Sequence, residues 1–157
     1  MSARVELALQ VAATPERAFA VFAGETGLWW RPNELFGFTP RDPGIVAFEP
    51  GEGGRFIETR GDGKIFEIGR ITTWEPGKRL AFTWRQASFA PDQIAHVEVR
   101  FEAIGAKTRV TVAHEGIDRL PDGHVAKHGM KGLYYAQRHA GWWRDLLEGL
   151  KARVEAD

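Results

Sequence analysis

Between Arg55 and Glu115 apolar and polar residues alternate in five runs broken by short turn sequences, and this pattern constrains the fold more than any other feature of the chain. The breaks fall at Gly61-Asp62-Gly63, Glu75-Pro76-Gly77, Ala90-Pro91-Asp92 and Gly105-Ala106-Lys107, all suited to tight reversals. An antiparallel meander of five strands is therefore expected. Successive strand side chains point to opposite faces, so Leu80, Phe82 and Trp84 share one side. Val97, Val99 and Phe101 form a second such set, and Val110, Val112 and His114 a third. These sides should face a common interior, while Arg79, Thr83, Glu98, Arg100, Arg109 and Thr111 take the solvent side.

A sheet that is apolar on one face needs a cover, and the C-terminus supplies one. Leu133, Ala136, Ala140, Trp143, Leu147, Leu150 and Val154 recur at alternating spacings of three and four, the stripe of an amphipathic helix of about five or six turns. Trp142 and Leu146 widen the stripe; Arg138, Arg144, Asp145, Glu148, Lys151 and Glu155 lie toward the polar side. At the N-terminus Val5, Leu7, Leu9 and Val11 alternate with Arg4, Glu6, Ala8 and Gln10, which reads as a first strand. Thr14 is placed to cap a helix whose first position is Pro15, with Ala18, Phe19 and Phe22 on one face. Gly24 and Gly27 interrupt it, and Leu28-Trp29-Trp30 continues as a short second helix before Pro32. From there to Gly54 repeated Gly and Pro predict an irregular loop with at most one short strand.

The expected architecture is thus α+β: one domain over residues 1–157, with a curved antiparallel sheet wrapped around a long C-terminal helix and two short helices after the first strand. Its 157 residues can bury a substantial core without staples. With 21 basic and 21 acidic residues the formal charge is zero, so no general field attracts nucleic acid or an anionic membrane. The absence of cysteine excludes disulfides, a thiolate nucleophile and Cys-based metal sites. No apolar run approaches the roughly 20 residues that span a bilayer, and no secretory signal opens the chain, so a cytoplasmic protein is expected. Six Trp and ten Phe are many for this length, and their excess asks for a cavity or an interface.

Several ordered segments resemble the family named after the activator of the Hsp90 ATPase, within the START/Bet v 1-like superfamily. They are Ala13-Thr14-Pro15-Glu16-Arg17-Ala18-Phe19, Gly53-Gly54-Arg55-Phe56, Gly69-Arg70-Ile71, and the stretch from Glu75-Pro76-Gly77 through Trp84. Thr108 to Gly116 and Gly141-Trp142 complete the set. The resemblance covers nearly the whole chain and implies a helix-grip fold with a ligand cavity between sheet and helix. It implies no single reaction, since the superfamily includes carriers, receptors, cyclases and co-chaperone domains. Gly149 departs from the family, which places a larger apolar residue there; it makes room for ligand or for a neighbouring Trp.

The leading expectation is an apolar small-molecule ligand, aliphatic or aromatic, lined or closed over by Trp30, Phe36, Phe56, Trp84, Val99, His114 and Trp142. His114 shares the inward side of Val110 and Val112, where it either donates to a ligand carbonyl or acts as acid or base; otherwise it is a core histidine bonded to backbone or to an indole. Glu58 has the parity of Phe56, and Glu67 that of Ile65 and Ile71, so one or both carboxylates point inward unless a bulge reverses the parity. Their alternative is a solvated pairing with Arg60 or Arg70. An inward set of His114 with Glu67 or Glu58 would suit a cyclase-like enzyme, whereas exposed Trp29 and Trp30 would suit a protein-interaction module. His124, His128 and His139 lack a metal-binding pattern, so no metal and no cofactor are expected; a homodimer remains compatible with an exposed sheet edge.

Overall fold

A computed structural model describes residues 4–30, 44–85, 94–115 and 132–156, with side chains of the last segment described from Ala140 onward. The first strand, β1 (Arg4–Val11), leads to α1 (Pro15–Gly24) and α2 (Thr26–Trp29). Then come β2 (Ile45–Phe48), β3 (Arg55–Thr59), β4 (Ile65–Glu75), β5 (Arg79–Trp84), β6 (Ala95–Ile104), β7 (Lys107–Glu115) and α3 (Gly132–Glu155). All neighbouring strands are antiparallel, in the order β1-β7-β6-β5-β4-β3-β2, so the five-strand meander holds and β1 adds to its far edge. The Ala90-Pro91-Asp92 turn lies outside the described residues.

Local chemistry accounts for the ends of these elements. Thr14 Oγ1 accepts the Arg17 N–H at 3.2 Å and Pro15 opens α1, an N-terminus stabilised on both counts. Gly77 closes the β4–β5 turn with φ 76°, where a side chain would be strained.

Inward rows run straight across β5, β6, β7 and β1: Phe82, Val97, His114 and Val5 in one, Leu80, Val99, Val112 and Leu7 in the next. Against these rows α3 buries Trp142, Trp143, Leu146, Leu147, Leu150 and Val154. The C-terminal turn of α3 is tied to the first helix. Arg17 Nε donates to the Val154 carbonyl at 3.0 Å and its Nη2 to that of Ala156 at 3.3 Å, satisfying carbonyls that have no partner within the helix. Glu155 accepts the Ala12 N–H at 2.8 Å, and Lys151 and Ala12 together hold its carboxyl below the usual range. Gly149 has a specific reason: a Cβ there would lie 2.8 Å from the Trp29 carbonyl oxygen. It lets α3 approach the backbone of α2, so the space is taken by Trp29 and not by a ligand.

Candidate functional site

Four rings from four elements meet where the grip closes. Trp30 follows α2 in extended backbone, Trp84 ends β5, His114 lies one residue before the end of β7, and Trp143 projects from α3. All four are buried. Ring centroids separate Trp30 from Trp84 by 5.9 Å and from Trp143 by 5.7 Å, while Trp84 and Trp143 are 5.9 Å apart. Trp84 lies 5.0 Å from His114, and Phe56 joins Trp30 at 5.6 Å in an edge-on contact. These spacings are those of rings in direct contact, an arrangement that adds to the stabilisation from burial alone.

One polar bond organises the cluster. Trp143 Nε1 donates to His114 Nδ1 at 3.0 Å, with both side chains buried. The indole partner foreseen for a core histidine is therefore real. Trp143, a member of the apolar stripe of α3, is the residue that engages the imidazole; nothing in its spacing separates it from Leu147 or Leu150.

The other expected residues divide. Phe56 and Val99 are fully buried, Val99 one inward row further along the sheet than His114, and Trp142 is buried on α3. Phe36, His124 and His128 lie outside the described residues, as does the side chain of His139. Glu58 is fully buried, facing inward with Val46 and Phe66, and its Oε2 accepts the Gly44 N–H at 3.1 Å.

Glu67 takes the alternative, the solvated pairing with Arg70, and does not point inward. Its side chain is 42% exposed and pairs with Arg70 at 2.9 Å. The cause is a register shift in the β3–β4 pairing between Phe56 and Ile57, which puts Glu67 opposite Ile57 but Gly69 opposite Phe56. An extra residue enters β4, so Ile68 and Ile71 both face inward and residues before the bulge reverse sides. Gly69 is required there because a Cβ would overlap the Thr83 carbonyl oxygen. The expectation that Trp29 and Trp30 offer exposed docking rings also fails. Both are buried, and Trp29 Nε1 donates inward to the Val21 carbonyl at 3.1 Å.

A separate open groove of about 410 Å³ lies between α1, the end of β2 and the β4–β5 turn, lined by Phe19, Ala23, Phe48 and Trp74 among others. It shares no residue with the expected ligand set. No helix is long and apolar enough to cross a membrane among the described residues.

The family model for activator of Hsp90 ATPase homolog 1-like proteins matches residues 12–155. The chain belongs to that family. Solved structures agree on the fold. A protein from Chromobacterium violaceum is 20% identical, with 98% of each chain covered and a TM-score of 0.67. The Aha1 dimer of Colwellia psychrerythraea is 15% identical, with 98% of this chain and 96% of that one covered and a TM-score of 0.64. An anthrahydroquino-gamma-pyrone synthase, solved as a complex, is 36% identical, with 80% of this chain and 84% of its own covered and a TM-score of 0.56. No curated protein matches the chain. As a member of the family, the chain has the helix-grip architecture: among the described residues, a curled seven-stranded antiparallel sheet closed by the C-terminal helix.

Proposed function

We propose that this chain, acting as one domain over residues 1–157, binds an apolar, aromatic small molecule between the inner face of the sheet and α3, against Trp30, Trp84, Trp143 and His114. The observation that carries the reading is the buried cluster in which Trp84 and Trp143 flank the His114 imidazole while Trp30 packs against both indoles. Flat rings stack on indoles, and a polar group set in an apolar lining orients what is bound. Further support comes from the 36% identical relative, named for an anthrahydroquino-gamma-pyrone. With Trp30 and Trp84 already in contact, a planar ligand enters by displacing one ring. Titration with 1,8-dihydroxyanthraquinone, followed by native mass spectrometry and calorimetry, tests the reading. A saturable 1:1 complex is expected, weakened at least tenfold in Trp84→Leu. No complex, or unchanged affinity in both Trp84→Leu and His114→Gln, would sink it.

A second reading, a cyclase-like enzyme, is favoured by the same relative being a synthase. Glu67 has no part in it. Glu58 stays inside the grip, on a strand four positions from His114 in the sheet order. Loss of turnover in Glu58→Gln with dye binding intact would select the enzyme over the pure binder. An interaction module of co-chaperone type would need a docking surface other than Trp29 and Trp30. A homodimer finds support in the dimeric Colwellia relative and in the sheet edge at β2, where Ile45 is 69% exposed beside Leu28. Sedimentation of Ile45→Lys should then show loss of a dimer present in the wild type.

A further inference from the structure

The His114–Trp143 hydrogen bond has one direction only. An indole Nε1–H is a donor and never an acceptor, so His114 Nδ1 must present its lone pair to it. An imidazolium carries hydrogen on both nitrogens and could not accept this bond. A neutral ring whose Nδ1 accepts carries its hydrogen on Nε2. Both partners are almost wholly buried, which removes water as a substitute donor. Trp143 is itself held by Trp30 and Trp84, and its ring meets the imidazole at 80°, so the donor is fixed by packing before any ligand arrives.

We propose that Trp143 is a positioning residue that locks His114 as its Nε2–H tautomer, so that His114 enters the chemistry of the site as a hydrogen-bond donor and not as a base. A base needs a lone pair, and the one on Nδ1 is engaged by Trp143 while Nε2 bears the hydrogen. Whatever group meets Nε2 therefore meets a donor. Within the ligand reading above, that group is an acceptor oxygen such as a quinone carbonyl. If the site performs a ring closure, His114 polarises a carbonyl or steadies a developing oxyanion, and proton abstraction falls to another group. The acceptor's identity rests on the ligand reading; the tautomer rests on the hydrogen bond alone.

Nitrogen-15 NMR of histidine-labelled protein at neutral pH reads the tautomer directly, with the signal assigned by its loss in His114→Gln. The expected wild-type spectrum shows Nε2 protonated and Nδ1 unprotonated. Trp143→Phe keeps a ring but removes the donor, and should admit the Nδ1–H tautomer or the imidazolium. A wild-type Nδ1–H or imidazolium overturns the proposal, as does an unchanged tautomer in Trp143→Phe. Should that variant not fold, a coupling across the bond between Trp143 Nε1 and His114 Nδ1 in the wild type supports the proposal, and its absence overturns it. Added 1,8-dihydroxyanthraquinone should shift the Nε2 signal. Binding without that shift overturns the donor role, whereas failure of the dye to bind overturns the ligand reading and leaves the tautomer standing.

Discussion

The β5–β6–β7 block and the β3–β4 pair face the same interior but reach it by different means. In the block, Leu80, Phe82 and Trp84, then Val97, Val99 and Phe101, then Val110, Val112 and His114 line up in unbroken register. The β3–β4 pair instead carries a register shift at Phe56/Ile57, and the β4–β5 pair another between Ile71 and Thr73. Regular pairing transmits one facing over a whole strand, whereas one inserted residue reverses everything on one side of it. The difference appears in two carboxylates on adjacent strands. Glu58, on a strand that keeps its alternation through the shift, is buried with Phe56; Glu67, across the bulge from Ile71, is in solvent. Trp84 and His114, the two cluster rings carried by the regular block, therefore follow strand alternation directly, whereas the facing of Glu67 is set by the bulge.

The contrast can be tested by substitution, beginning with the regular block. Trp84→Ala removes a fully buried ring and should cost about 3–5 kcal/mol in denaturant unfolding; a cost near that of a surface change would mean the ring cluster is not packed as described. Gly69→Ala forces a Cβ onto the Thr83 carbonyl and should cost about 1–3 kcal/mol, since β5 or the bulge must move. The two carboxylates give the sharpest pair. Glu58→Ala should destabilise by about 1–3 kcal/mol by stripping the Gly44 N–H of its acceptor, and Glu67→Ala by less than about 0.5 kcal/mol because its Arg70 partner is a surface one. Equal effects at the two positions would erase the distinction between the strands.

The smallest effect is expected where β3 begins. Arg55 donates to Glu49 through Nε at 2.8 Å, Nη2 at 2.7 Å and its backbone N–H at 3.1 Å. These bonds lower the Glu49 pKa from 4.5 to about 2. A carboxyl lowered on folding contributes stability that is complete above its unfolded value and lost as pH falls toward the folded one. Stability measured from pH 5 down to 2 should fall less steeply in Glu49→Gln than in the wild type, and an identical slope would show that the pair is not kept in solution.

Much of the fold was legible because it depends on periodicities that single residues report. The 3/4 stripe from Leu133 to Val154 specifies a helix with one apolar side, and strand alternation specifies which side of β5 and β6 is buried; on β7 Thr111, expected in solvent, and Ala113 beside it are buried as well. Thr14 followed by Pro15 marks a helix start by local bonding alone. The site was legible in part for the same reason: Trp84 and His114 inherit their direction from regular strands. Trp143 was visible as a core residue but not as a partner of His114, because a hydrogen bond between residues 29 apart in sequence depends on how helix and sheet dock.

By itself the sequence determined the element order, the inward faces of the regular strands and the apolar stripe that α3 must bury, all consequences of local backbone geometry and of keeping apolar surface from water. Tertiary structure alone decided the rest: that β4 takes an extra residue at Ile68, beside Gly69, turning Glu67 out while Glu58 stays in; that Gly149 yields to a carbonyl of α2; and that an indole from α3 meets the imidazole of β7. Each depends on the close approach of segments distant in the chain, where excluded volume and the pairing of buried donors and acceptors, and not periodicity, choose the outcome.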